Sequence, residues 1–181
     1  MSRPVALILA ATFLLFLAFN FFYAGFPVHA ATVYGWNTGE LGVFFAVLSG
    51  MMVVAQGPVL SFASKRFGQR TLFAVGIAFL LLSFVTFYMP NDTLSFAGAA
   101  CFALGNGLSW PTFQARIAEL GGEDQGIVQG AVTSASSLAS IAGLVLGGLL
   151  YLALGGGVFL LAAGIFGVVM LLTPAWFAER G

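Results

Sequence analysis

Ser61-Phe62-Ala63-Ser64-Lys65-Arg66-Phe67-Gly68-Gln69-Arg70 is the stretch that decides the fold. It holds three of the chain's six basic residues, and the apolar runs 41–64 and 71–89 meet at it. Each run is about the length of a helix that spans a hydrocarbon layer. A short cationic break between two such runs reads as a tight turn at a membrane surface.

Four further apolar runs, 5–31, 94–115, 127–151 and 158–177, lie outward from this pair. The breaks between them carry turn residues: Tyr34-Gly35-Trp36-Asn37, Pro90-Asn91-Asp92, Glu119 to Gln125, and Gly155-Gly156-Gly157. Such short breaks make consecutive helices antiparallel neighbours. Only 7% of the 181 residues are charged and 60% are hydrophobic, with a mean hydropathy of +1.04. Soluble domains carry about 25% charged residues, so lipid has to be the solvent for much of this chain. Unsatisfied backbone in hydrocarbon costs several kcal/mol per group, which leaves helices or closed barrels. Runs near twenty residues fit helices and not the roughly ten-residue alternating strands of a barrel.

The expected fold is therefore an all-α bundle of six transmembrane helices forming one domain over 1–181. Arg3, Lys65, Arg66, Arg70, Arg116 and Arg180 then fall on one side, and Glu40 and Asp92 lie toward the other. The positive-inside rule puts that side, and both termini, in the cytoplasm of a multi-pass plasma (inner) membrane protein. The N-terminal run is longer than a secretory h-region and is read as a retained helix.

Net charge is zero and no basic patch points to nucleic acid. Cys101 stands among apolar residues without metal-ligand spacing. No nucleophile elbow, zinc ligand set or phosphate loop occurs, so no enzyme, metal or cofactor is expected. Paired Asn-Pro-Ala half-helices of an aquaporin-like channel do not occur either.

Small residues at four-residue spacing, Gly126 with Gly130 and Ala139 with Gly143 and Gly147, are expected to bring helices close together. Pro27, Pro58 and Pro111 should bend or interrupt helices, and broken helices at membrane depth tend to line cavities. Asn20 and Tyr23 share a face, as do Asn106, Trp110 and Gln114. With Gln56 they form the candidate lining of a polar and aromatic substrate cavity; the alternative is plain interhelical hydrogen bonding. No Asp, Glu, Lys or Arg lies deep in a run. His29 is thus the candidate proton-linked group, against a simple hydrogen-bonded role at the interface.

The break 61–70 resembles the loop signature G-x-L-A-D-R-x-G-R-R of the major facilitator superfamily. Arg66, Gly68 and Arg70 match it, while Lys65 replaces the aspartate and Ser61 the first glycine. Gly105-Asn106-Gly107-Leu108-Ser109-Trp110-Pro111 resembles the family's tenth helix. Gln125-Gly126-Ile127-Val128-Gln129-Gly130 and 142–151, with Leu144 in place of a proline, resemble its eleventh. Gly25-Phe26-Pro27 and Tyr34-Gly35-Trp36-Asn37 resemble the seventh helix and its outer loop. The chain is most similar to the C-terminal half of drug:proton antiporters of the tetracycline and multidrug efflux type.

That resemblance implies two inverted three-helix repeats, half of a secondary transporter that works by alternating access. The implied partners are the lipid bilayer, a small-molecule substrate, protons, and a second six-helix half. That half is either another copy in a homodimer or a missing N-terminal portion, the chain being a half-size protein or a fragment. Lys65, Arg66, Gly68 and Arg70 would form a cytoplasmic gating loop, although Lys65 removes the family's aspartate latch. The competing reading is a membrane subunit with an assembly or regulatory role.

Overall fold

The computed structural model describes residues 3–177. Within them the chain is helical apart from short turns and connections, with no strand. The helices are α1 (Arg3–His29), α2 (Thr38–Val54), α3 (Leu60–Ser64), α4 (Gln69–Tyr88), α5 (Asp92–Gly121), α6 (Gln125–Leu154) and α7 (Gly157–Trp176). A π-helical turn at Ala30–Tyr34 prolongs α1, and a second at Ala55–Val59 joins α2 to α3.

Five segments are long and apolar enough to cross a membrane: Pro4–Tyr34, Thr38–Ser64, Gln69–Tyr88, Asp92–Leu154 and Gly157–Ala175. The fourth is 63 residues long, far beyond the roughly 20 that one crossing needs. It consists of α5 and α6, parted only by a 3-10 turn at Gly122–Asp124. Gly122 has φ of 48°, a conformation that side-chain-bearing residues avoid, and it ends α5 there.

Local chemistry sets the other helix ends. Asn37 accepts from the amides of Gly39 (2.8 Å) and Glu40 (3.1 Å), and Glu40 Oε2 accepts from the Asn37 amide (2.8 Å). This capping box starts α2. The Asn91 side chain accepts from the Leu94 amide at 3.1 Å to start α5, with Asp92 in its first turn. Pro58 falls inside the second π-turn, whereas Pro111 lies within an α5 that continues unbroken to Gly121. Of the bend or interruption expected at Pro111, an interruption does not occur, since α5 runs through it.

α4 packs along α5, α1 along α6, and α7 against both α1 and α4, while α2 leans on α5. Between them lies a core of buried phenyl rings from α1, α2, α4, α5 and α7. Phe26 stacks on Phe44 with centroids 4.4 Å apart, and Phe22 on Phe87 (4.9 Å) and on Phe102 (5.0 Å). Phe84 meets Phe166 at 5.1 Å. Lipid tails are as apolar as these rings, so shape-matched dispersion and ring geometry hold the helices together rather than escape from water.

Several crossings are close enough to exclude side chains, two of them between long helices. A Cβ at Gly76 would fall 2.8 Å from the Gly105 carbonyl, and one at Gly105 would fall 2.8 Å from the Gly76 carbonyl. On the α1–α6 seam, Gly143 lies against Leu17 and Asn20, and Gly147 against Phe21 and Ala24. Gly126 and Gly130 differ. A Cβ at either would meet nothing within 4 Å, so neither mediates close packing in this bundle. At this end of α6 the inward face belongs to Val128 and Val132, both buried. Positions two apart on a helix point about 200° apart, which turns the two glycines outward.

Candidate functional site: a polar and aromatic groove between α1, α2, α5 and α6

A groove of about 470 Å³ opens between four helical segments. α1 supplies Phe16, Phe19, Asn20 and Tyr23, and α6 supplies Ser140. Met52 comes from α2 and Gln56 from the following π-turn, while Asn106 and Trp110 come from α5. The spacing is helical: positions 16, 19, 20 and 23 form one stripe and 106 with 110 another. The π-turn helps to aim Gln56. Gly107 of α5 sits so close beneath it that a Cβ there would fall 3.2 Å from the Gln56 amide nitrogen. Insertions of this kind in α-helices concentrate at functional sites.

The groove has a fixed corner and a set of uncommitted polar ends. Asn20 is 9% exposed. Its amide donates to the Phe16 carbonyl (2.7 Å) and to Ser140 Oγ (3.2 Å), tying α1 to α6. Both amide hydrogens are thereby used, and its oxygen is what remains for a ligand. Trp110 stands edge-on to Phe16 with centroids 5.3 Å apart. Tyr23, Gln56, Asn106 and the Trp110 indole make no side-chain hydrogen bond among the described residues, and Tyr23 is 47% exposed. The lining can therefore hold an amphipathic molecule: rings for its apolar body, and an amide, a phenol and an indole N–H for its polar edge.

Gln114, four residues beyond Trp110, does not line the groove, and its Oε1 is buried without a hydrogen-bond partner among the described residues. Phe16, Phe19 and Met52 extend the lining with residue types that any apolar run contains. Ser140 is one of several hydroxyl residues between Thr133 and Ser140, so only its position across from Asn20 distinguishes it.

The break 61–70 lies at the end of the bundle where α4 starts. Gly68 is the N-cap of α4, and Arg66 lies over the Phe62 ring, 4.3 Å from its centroid. Among the described residues Lys65, Arg66 and Arg70 make no ion pair. The contact that bridges helices here uses another residue of the same stretch. Gln69 Nε2 donates to Glu119 Oε1 at 2.7 Å, and Arg116 donates to Glu119 Oε2 at 3.0 Å. Glu119 sits past the apolar part of α5, and these two hydrogen bonds hold its carboxyl below the ordinary carboxylate range. His29 is remote from both features, buried near the opposite end of α1 against α6 and α7.

The sequence model of the Major Facilitator Superfamily matches residues 3–181. The chain belongs to the Major Facilitator Superfamily. It is 30% identical over 128 residues to the tetracycline resistance protein, class G, of Vibrio anguillarum, covering 65% of this chain and 31% of that protein. It is 24% identical over 148 residues to the hippocampus abundant transcript 1 proteins of mouse and human, covering 81% of this chain and 30% of each. The chain thus spans about 30% of the length of the curated relatives it matches. Its fold is similar to that of the crystal structure of peptide transporter POT in complex with sulfate. The TM-score is 0.70 at 17% identity, covering 97% of this chain and 38% of that one. This superfamily member is a multi-pass membrane protein chain, and its fold is that of the solved structure it matches.

Proposed function

We propose that this chain is a six-helix half of a secondary transporter that exports small amphipathic molecules by alternating access, with the α1/α2/α5/α6 groove as its share of the substrate cavity. The observation that carries this reading is the groove itself. Asn20, Tyr23, Gln56, Asn106 and Trp110 come from three helical segments far apart in sequence, and they converge on one open concavity. Polar ends without internal partners are costly in a bilayer unless water or a ligand meets them. Their concentration at one groove supports a ligand face over simple packing.

In this reading α5 and α6 each cross the membrane, the Gly122–Asp124 turn lying at the surface between them. Lys65, Arg66, Arg70, Arg116 and both termini then face the cytoplasm. A second six-helix half, from another copy or from a longer chain, covers the groove. The apolar side chains exposed beside it on α2 and α6, such as Val53 (73%) and Ile141 (65%), meet that half or lipid. Efflux as the direction rests on the relative named for tetracycline resistance.

The test uses the protein as expressed from its natural gene, reconstituted in liposomes and assayed for tetracycline movement under an imposed proton gradient. Saturable movement that Asn106→Ala and Trp110→Ala reduce together supports the proposal. A well-folded oligomer with no movement of tetracycline or of a fluorescent amphipathic dye would favour a subunit with an assembly role.

A further inference from the structure

His29 is the chain's single histidine and is only 3% exposed. It lies where α1, α6 and the start of α7 meet. Its Nδ1 is 3.1 Å from the Tyr151 hydroxyl, and that hydroxyl is 3.3 Å from Thr32 Oγ1. Thr32 Oγ1 in turn donates to the Val28 carbonyl at 2.8 Å. The ring is boxed in by Tyr34 and Phe159, each edge-on with centroids 5.2 Å away. Gly156 closes the remaining side, since a Cβ there would fall 3.1 Å from His29 Cε1. Among the described residues Nε2 is buried without a hydrogen-bond partner.

Proton counting fixes the tautomer. A hydroxyl has one hydrogen, and that of Thr32 goes to the Val28 carbonyl. Toward Tyr151, Thr32 can therefore only accept, so Tyr151 donates to Thr32. The Tyr151 oxygen is then left to accept from His29, which must carry its proton on Nδ1. Only this arrangement, Nδ1–H to Tyr151 to Thr32 to the Val28 carbonyl, makes all three contacts hydrogen bonds running in one direction, each strengthening the next. It leaves the Nε2 lone pair bare.

We infer that the Tyr151–Thr32 chain locks His29 in its Nδ1–H tautomer and keeps Nε2 as a proton-binding site at the junction of α1, α6 and α7. Proton uptake at Nε2 leaves the Nδ1–H chain intact and breaks no bond already made. It creates an imidazolium whose new N–H has no acceptor, and whose charge has no counter-ion, among the described residues. The titratable groups around the ring are tyrosines: Tyr151 from α6, Tyr34 from the first π-turn, and Tyr88 at the end of α4, which also borders Gly156. Tyr34 donates its hydroxyl to the Met89 carbonyl at 3.1 Å, and the carboxylate of Asp92 bears on Tyr34 rather than on His29. α7 contributes Phe159, which has no charge to offer. The charged ring must therefore draw in water or move, so protonation loosens this junction. The inference goes beyond the transport reading and stands with or without it.

The test is NMR of the full chain in lipid nanodiscs, with ring-labelled histidine and a histidine-free purification tag, across about pH 4 to 8, a window extended downward because burial disfavours the charged ring. The one ring should show a protonated Nδ1 and a bare Nε2 at the upper end. On acidification Nε2 should gain a proton while Nδ1 keeps its own. Tyr151→Phe removes the acceptor and should move the neutral ring to the Nε2–H form. Thr32→Val frees the Tyr151 hydrogen for His29 Nδ1 and should push the tautomer the same way, which covers the case in which Tyr151→Phe does not fold. An Nε2–H ring in the unsubstituted protein, a ring that stays neutral down to about pH 4, or a tautomer unmoved in the folded variants would each overturn the inference.

Discussion

Gly105→Ala tests the α4–α5 crossing that positions one wall of the groove. The added Cβ would lie 2.8 Å from both the Gly76 carbonyl oxygen and the Leu80 amide nitrogen, and 2.7 Å from Leu80 Cγ. Those backbone contacts are about 0.7 Å inside the ~3.5 Å at which non-bonded heavy atoms sit best. Two of the three obstacles are main chain, so no rotamer change relieves them and the helices must part. A radial gap of about 0.5–1 Å forfeits a quarter to a half of each dispersion contact along the seam. Overpacking of this kind costs about 1–3 kcal/mol, and backbone on both sides places Gly105→Ala in the upper part of that range. A loss of about 2 kcal/mol is roughly a 30-fold fall in the folded-to-unfolded ratio. Gly130→Ala is the internal control. Its Cβ meets nothing within 4 Å, so it should be neutral or gain up to about 1 kcal/mol of helix propensity. Reversible SDS denaturation in mixed micelles, followed by circular dichroism, reads both. Equal midpoints for the two variants would refute the crossing.

Three further outcomes follow from the same geometry. Gln56→Ala and Asn106→Ala remove side chains that make no hydrogen bond among the described residues, so stability should stay within about 0.5 kcal/mol, while under the proposed transport reading tetracycline movement in liposomes falls roughly tenfold, a loss of about 1.4 kcal/mol of ligand interaction. Glu119 titrates below the ordinary carboxylate range because of Gln69 and Arg116. The tie it provides is therefore present above that range and is lost as pH falls through the lowered value, and Gln69→Ala should move the Glu119 titration upward in a carboxyl-labelled NMR experiment. Asn37→Ala deletes the capping box of α2 and should cost about 1 kcal/mol in the same micelle denaturation.

The fold was legible for a simple physical reason. With 7% charged residues the solvent question answers itself, and helix length then follows from bilayer thickness. The number of crossings is less plain in the helices themselves, because only a three-residue 3-10 turn separates α5 from α6, and it is the polar stretch Glu119 to Gln125 that parts their apolar runs. The candidate lining was read from i, i+3 and i, i+4 spacing. That spacing groups Asn106 with Trp110, and Asn20 with Tyr23, all four of which border the groove, but it cannot tell where a stripe leaves a groove, as Gln114 shows. Gly126 and Gly130 show the complementary limit. Small-residue spacing marks a smooth helix face without saying which neighbour, if any, lies against it. The ties Gln69–Glu119, Asn20–Ser140 and His29–Tyr151 join residues 50, 120 and 122 positions apart, and no local pattern announces them.

The most direct test of the central claim is ligand protection in the groove. In a Cys101→Ser background, Asn106→Cys should react with a membrane-impermeant maleimide, and tetracycline should slow that reaction. Leu138→Cys, on an exposed apolar face of α6 at 61% exposure, should react slowly and without protection. A groove cysteine that is as inert as Leu138→Cys, or one that tetracycline leaves fully reactive, would contradict the account.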